Sequence, residues 1–397
     1  MERRMGGRTL AWGAALVLPT LLVLLFETRK WDRALMDRWV SGVMAPLEQQ
    51  LGRFWGQISW CSAAELLTAL LLAGCVLWLI WTVAGLLRRR DGRAFGRRLL
   101  ALAAVLLWLW CGFCWMWNAA YYASSFQEKS GLRVQPYPVE TLIQVTALFA
   151  QRAAEFSTQV ERDENGRFAV SRDEILARGP EVYENVAREY PFLALEGQTA
   201  AKPIFFSRLQ SRLGFTGVYF PFTGEANVNV DAPVCLLPAT VAHEMAHQRM
   251  VASEQEANFV GILAAVTSGD PVYQYSGYLM GLIQLCNALA PVDRAAWQDI
   301  VQRYFTQELA DDWNANNAYW AALASPMEDA AEQVYDSFLK GNGQELGMRS
   351  YGACVDLLAA YFGGEQVGEP REISKTEVSR GSFSGHIRGA KMRRMLR

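Results

Sequence analysis

The chain carries only three histidines, and two of them stand four residues apart in Ala242-His243-Glu244-Met245-Ala246-His247-Gln248. On a helix that spacing puts both imidazoles on one face, one turn apart, where two ring nitrogens can reach the same ion. Zinc takes such nitrogens at ~2.0–2.1 Å and, in a catalytic site, keeps a position open for water. Glu244 points ~100° around the helix from His243. It is thereby placed as a general base toward that water and not as a ligand. A third protein ligand is still needed. Glu254 and Glu256 both follow closely, but on a straight continuation of the helix they would lie ~10 and ~13 Å further along its axis. The metal reading therefore requires the first helix to end near Arg249–Ala252 and the chain to turn back. Ser253 then suits the N-cap of a second helix, with Glu256 three residues later. Glu256 is a candidate ligand but equally the second half of a capping box, and Glu254 is the alternative ligand.

The elements that must position these residues are mostly helical. Leu10–Phe26, Leu66–Leu87 and Leu99–Trp117 are long apolar runs, each of a length that spans a bilayer. Arg88, Arg89, Arg90, Arg93, Arg97 and Arg98 crowd the link between the second and third runs, which marks that link as cytoplasmic. Arg3, Arg4 and Arg8 set the N-terminus on the same side, so everything after Asn118 is expected outside the cytoplasm. Acidic residues outnumber basic ones from Tyr122 to Pro370, which argues against a nucleic-acid partner. Cys111 and Cys114 have redox-motif spacing, but they sit inside an apolar run where small residues serve helix packing.

Amphipathic helices are expected from Pro138 onward. Between Lys202 and Cys235 the period changes. Gly217–Phe220 and Ala226–Val230, separated by Pro221-Phe222-Thr223-Gly224, read as a small hairpin just before the histidine helix. Pro238 favours the start of that helix. Tyrosines near such a site can donate to an oxyanion, and Tyr351, in an expected loop at 347–352, or Tyr275 is a candidate. Residues 371–397 lose hydrophobic periodicity and read as a basic, disordered tail.

The chain resembles an uncharacterised bacterial membrane-protein family, a domain of unknown function, with an N-terminal membrane anchor and a zincin-like HExxHQ site followed by ExEAN. The resemblance rests on Trp117-Asn118, Pro221-Phe222-Thr223-Gly224-Glu225-Ala226, the site itself, Tyr275-Ser276-Gly277-Tyr278, 338–344, Ser350-Tyr351-Gly352 and Val355-Asp356-Leu357-Leu358. Glu256-Ala257-Asn258 is also similar to an element of other HExxH metallopeptidases whose glutamate completes the zinc site, and this favours Glu256 as third ligand. Met250 stands where the family tends to have glycine. A left-handed turn there costs ~1 kcal/mol or more, so a differently shaped turn is expected.

Together these readings predict a mainly helical α+β chain in three parts. A three-helix transmembrane region at 1–121 carries an extracytoplasmic zincin-like domain at 122–370, followed by the tail. The expected activity is zinc-dependent cleavage of a peptide or protein substrate, with His243, His247 and Glu256 holding Zn2+, Glu244 and Tyr351 assisting, and Asn258 orienting a ligand. The rival is a zinc-stabilised envelope or sensor protein that binds a partner and hydrolyses nothing.

Overall fold

The computed structural model describes residues 2–58, 61–195, 197, 199–342, 344 and 350–365. The expected tail therefore lies outside the described residues. The chain is mainly helical and forms two units. One comprises residues 1–124 together with 220–225, the other 125–219 and 226–397.

In the first unit, two helices, Ala63–Arg89 and Gly92–Met116, are long and apolar enough to cross a membrane. Leu70, Leu72, Leu77, Ile80 and Leu87 of the former stand exposed, a surface whose contact with water would be unfavourable along its whole length. The remaining expected run falls within the helix Glu2–Arg29, whose side chains are described from Ala15 onward. Trp115 ties the unit together, since its indole N–H donates to Leu22 and its carbonyl accepts from the indole of Trp39. Cys111 and Cys114 are buried and free, and a Cβ on Gly112 would lie 2.9 Å from the Phe222 ring. The redox spacing is thus used for close packing. Glu225 accepts hydrogen bonds from the Ala63 and Ala64 amides and from the Thr223 hydroxyl. It supplies acceptors to a helix start whose first N–H groups have no partner within the helix.

The second unit is built around the helix Glu254–Thr267. All of its residues except Gln255 and Thr267 are buried, as a helix apolar on every side must be. The helices Val139–Ser157, Leu237–His247, Pro271–Leu289 and Ser350–Glu365 pack with it around a core that includes Phe149, Met245, Phe259, Leu282 and Leu358. The expected hairpin forms as strands β2 (Gly217–Phe220) and β3 (Glu225–Val228). A two-residue strand β1 (Lys202–Pro203) pairs parallel to β3, and the sheet order β1-β3-β2 leaves β2 at an edge.

One contact sets how the site is assembled. A Cβ added to Gly261 would fall 2.8 Å from both the Cα and the amide nitrogen of His243. The missing side chain therefore lets the backbones of the two central helices touch at the first histidine. Gly261→Ala is expected to cost about 1–3 kcal/mol by overpacking. The check is the thermal midpoint of the solubilised protein against Gly269→Ala, where a Cβ meets nothing within 4 Å. Equal midpoints would show that the close crossing is unimportant.

Candidate metal centre

The histidine helix Leu237–His247 starts with Pro238 in its first turn, a position that needs no N–H donor. It ends in a Schellman turn. The Val251 amide donates to Ala246 O at 3.2 Å and the Met250 amide to His247 O at 2.9 Å, the paired bonds of that motif. Met250 occupies its left-handed position with φ of +62°. The expectation of a differently shaped turn is therefore corrected: methionine takes the conformation that glycine would take at less cost. Ser253 occupies the N-cap position of the next helix without a side-chain cap bond, so no capping box forms with Glu256.

This turn selects which glutamate meets the histidines. Residues two apart on a helix point ~200° apart around its axis, so Glu254 and Glu256 cannot share a face. The stripe Glu254, Asn258, Gly261 is the one that faces the histidine helix. Glu254 Oε2 lies 3.4 Å from His243 Nε2, and Oε1 lies 3.8 Å from His247 Nε2. Glu256 faces away from this pair. Its carboxylate accepts from the backbone amides of Phe126 at 2.8 Å and Gln127 at 3.0 Å, which open the short helix Phe126–Ser130. The expected placement of Glu256 beside the histidines is thus replaced by Glu254, because helical phase turns Glu256 toward another helix start.

The ligand atoms of His243, His247 and Glu254 all lie within 4.8 Å of one another, and the three residues are buried. Tetrahedral ligands at ~2.0–2.1 Å from an ion stand ~3.3 Å apart, close to the observed carboxylate–imidazole separations. The group could hold a metal ion. His247 is prepared for the task, because its Nδ1 is 2.7 Å from Val251 O. An Nδ1–H donating to that carbonyl leaves Nε2 as the free lone pair. The Schellman turn therefore both reverses the chain and sets the tautomer of the second histidine.

Electrostatics agree with this division of labour. Burial lowers the His247 imidazolium to about 4, so the ring is neutral. Burial also opposes charge on His243, but Glu254, Glu244 and Asn258 together outweigh it and raise that ring above its ordinary value. Glu254 itself is drawn down to about 2 against the effect of burial, by His243 and His247 beside it and by the Tyr335 hydroxyl. Burial pushes the Glu244 carboxyl up to about 8, with His243 opposing and Glu254 adding to the rise. Glu244 Oε2 and His243 Nδ1 are buried side-chain atoms without a hydrogen-bond partner. Such groups destabilise a core unless the site is completed by something they can bind.

Two further residues shape the centre. Tyr335, from the helix Pro326–Gly341, donates to Glu254 Oε1 at 2.6 Å and so helps fix the carboxylate. A Cβ on Gly217 would lie 2.4 Å from Glu244 Oε1, which sets β2 directly against the candidate base. Nothing in the local sequence pointed to Tyr335, which is 81 residues from its partner. Gly261, two turns beyond Glu254, was a local trace of a close backbone approach inside a helix, but not of which helix approaches. Of the tyrosines expected near the site, Tyr275 is buried with its hydroxyl donating to Asp312. Tyr351 falls in the first turn of the helix Ser350–Glu365, where a loop was expected, and its side chain lies outside the described residues.

Glu254→Ala is expected to abolish metal retention measured by elemental analysis. Glu256→Ala should retain metal while losing about 1–3 kcal/mol of stability, because the Phe126 and Gln127 amides lose their acceptor. The opposite pattern, in folded variants, would restore Glu256 as the ligand.

Comparison with known proteins gives a family and no activity. A family model described as a protein of unknown function, DUF3810, matches residues 40–359. No curated protein and no solved structure matches the chain. The match covers most of the sequence, the site included, and the chain belongs to this DUF3810 family.

Proposed function

We propose that the chain is a membrane-anchored zinc-dependent hydrolase, a metallopeptidase acting on peptide bonds. The observation that carries this reading is the pairing of a buried His243–His247–Glu254 group with the adjacent carboxylate of Glu244, one of whose oxygens has no hydrogen-bond partner. Two histidines and a carboxylate also suit other transition metals. A metal-holding scaffold has no use for Glu244, whereas hydrolysis does.

Zinc, when bound, supplies the Lewis acidity that activates water and polarises a scissile carbonyl. The chain's own residues do the rest. Glu244 accepts the proton of the attacking water and returns it to the leaving amine, a role suited to a carboxyl held in a dry site. His247 keeps its Nδ1 proton on Val251 O, and Tyr335 holds the Glu254 carboxylate in place. The edge strand β2 is placed to receive an extended peptide beside Glu244. Gly217 stands against that side chain and Val218 is 41% exposed.

Replacing Glu244 with Gln keeps size and polarity but removes the basic oxygen. The expected outcome is a loss on the order of 10²–10⁴ in cleavage rate with metal content unchanged. The assay is turnover of a mixed peptide library by solubilised protein. Equal cleavage by metal-matched wild type and variant, including none by either, would favour the non-catalytic scaffold.

Taken with three apolar runs as spans, the arginine-rich link at 88–98 supports a cytoplasmic N-terminus and a metal centre outside the cytoplasm. A reporter active only outside the cytoplasm should be active when fused after Lys202 and silent when fused at Arg90. Reversed activities would move the centre inside.

A further inference from the structure

The short helix Ser207–Arg212 is turned inside out relative to a helix in water. Ser207 and Ser211 face inward, only 5% and 1% exposed. Ser207 Oγ accepts from the Val230 amide, and Ser211 Oγ accepts from the Asn229 side chain and the Tyr319 hydroxyl. Phe205, Phe206 and Leu209 face outward at 85%, 51% and 49% exposure. Phe205 and Phe206 lie in the turn that leads into the helix, and Arg208 and Arg212 on the helix are exposed beside Leu209. A single exposed apolar side chain needs no explanation. Three large ones within five residues, with small hydroxyls buried behind them, mark a contact surface.

We infer that this face is a second membrane contact, seated in the headgroup region of an anionic bilayer independently of the spanning helices. Three observations favour a lipid surface over a protein partner. Aromatic and leucine side chains interleaved with arginine are the composition of interfacial helices, whose apolar parts enter the acyl boundary while guanidinium groups stay at the headgroups. The exposed charge of the segment also complements anionic lipid: Arg208 and Arg212 are exposed, and no acidic residue lies between Gly197 and Gly224. The surrounding unit, by contrast, is rich in acids. Finally, the same chain carries two helices long and apolar enough to cross a membrane, so a bilayer is available to it. The inference does not depend on the hydrolase reading. It concerns where the unit is held.

The test uses the full-length protein in nanodiscs of phosphatidylcholine and phosphatidylglycerol, with Phe205 replaced by the photoreactive p-benzoylphenylalanine. This analogue keeps an aromatic ring at an exposed position and leaves the fold intact. Illumination should yield a phospholipid adduct at position 205, by mass spectrometry, several-fold above that from the same probe at exposed Val292. Arg208→Glu with Arg212→Glu should reduce the adduct several-fold, and omitting phosphatidylglycerol should do the same. A crosslinked dimer in place of the lipid adduct would overturn the inference in favour of a second copy. Adduct no greater than at Val292 would overturn it in favour of a solvent-facing patch.

Discussion

Between His247 and Glu254 the chain must reverse direction within six intervening residues, and the left-handed backbone of Met250 makes the reversal possible. A straight helix would separate these side chains by ~10 Å. The Schellman turn brings them within 3.8 Å, and the Val251 carbonyl that it exposes orients the second imidazole. A non-glycine residue in this conformation carries strain, and the surrounding packing holds it. Arg249, immediately before it, lies buried with its guanidinium 3.7 Å from the Tyr183 ring centre and donates to Leu193 O and Met245 O. Tyr183 in turn donates to Ala242 O. The end of the histidine helix is thus gripped from one side while the Glu254 helix presses on it from the other.

Burial of so many ionisable groups in one place is unfavourable unless they satisfy one another. Glu254 meets that demand by lying between two imidazoles with a tyrosine donor behind it. Glu244 does not, and the high pKa of its carboxyl follows from burial in the same pocket. The site thus keeps one carboxylate low and its neighbour high. The separation arises from position. Glu254 stands where both histidines converge, whereas Glu244 is turned toward β2 and packs directly against Gly217.

Two other buried glutamates show the alternative use of the same side chain. Glu225 accepts from the amides that open the helix Ala63–Arg89, and Glu256 accepts from those that open Phe126–Ser130. Each places a negative charge at the positive end of a helix dipole and answers orphan N–H donors from far away in sequence. Glu256 is therefore a structural pin in the same unit as the candidate metal centre. It lies two residues from the glutamate that meets the histidines yet serves a different element.

The sequence by itself determined the histidine helix, the pairing of His243 with His247, the separate character of Glu244, the two long apolar helices and the hairpin before the site. These are local properties: helical periodicity, hydrophobic length and turn chemistry act over a few residues and can be read along the chain. The need for a turn before Glu254 was also legible, because a straight helix excludes both glutamates by distance alone. The choice between Glu254 and Glu256 was not, since similarity to a Glu-Ala-Asn element says nothing of helical phase. Phase was settled by where the second helix starts and by Gly261 lying against His243. Tyr335 and Gly217 reach the centre across long sequence separations, and only the packed structure shows which distant residues meet there. Side chains that complete a buried site come from whichever elements the core brings together, and that pairing is a property of the whole fold.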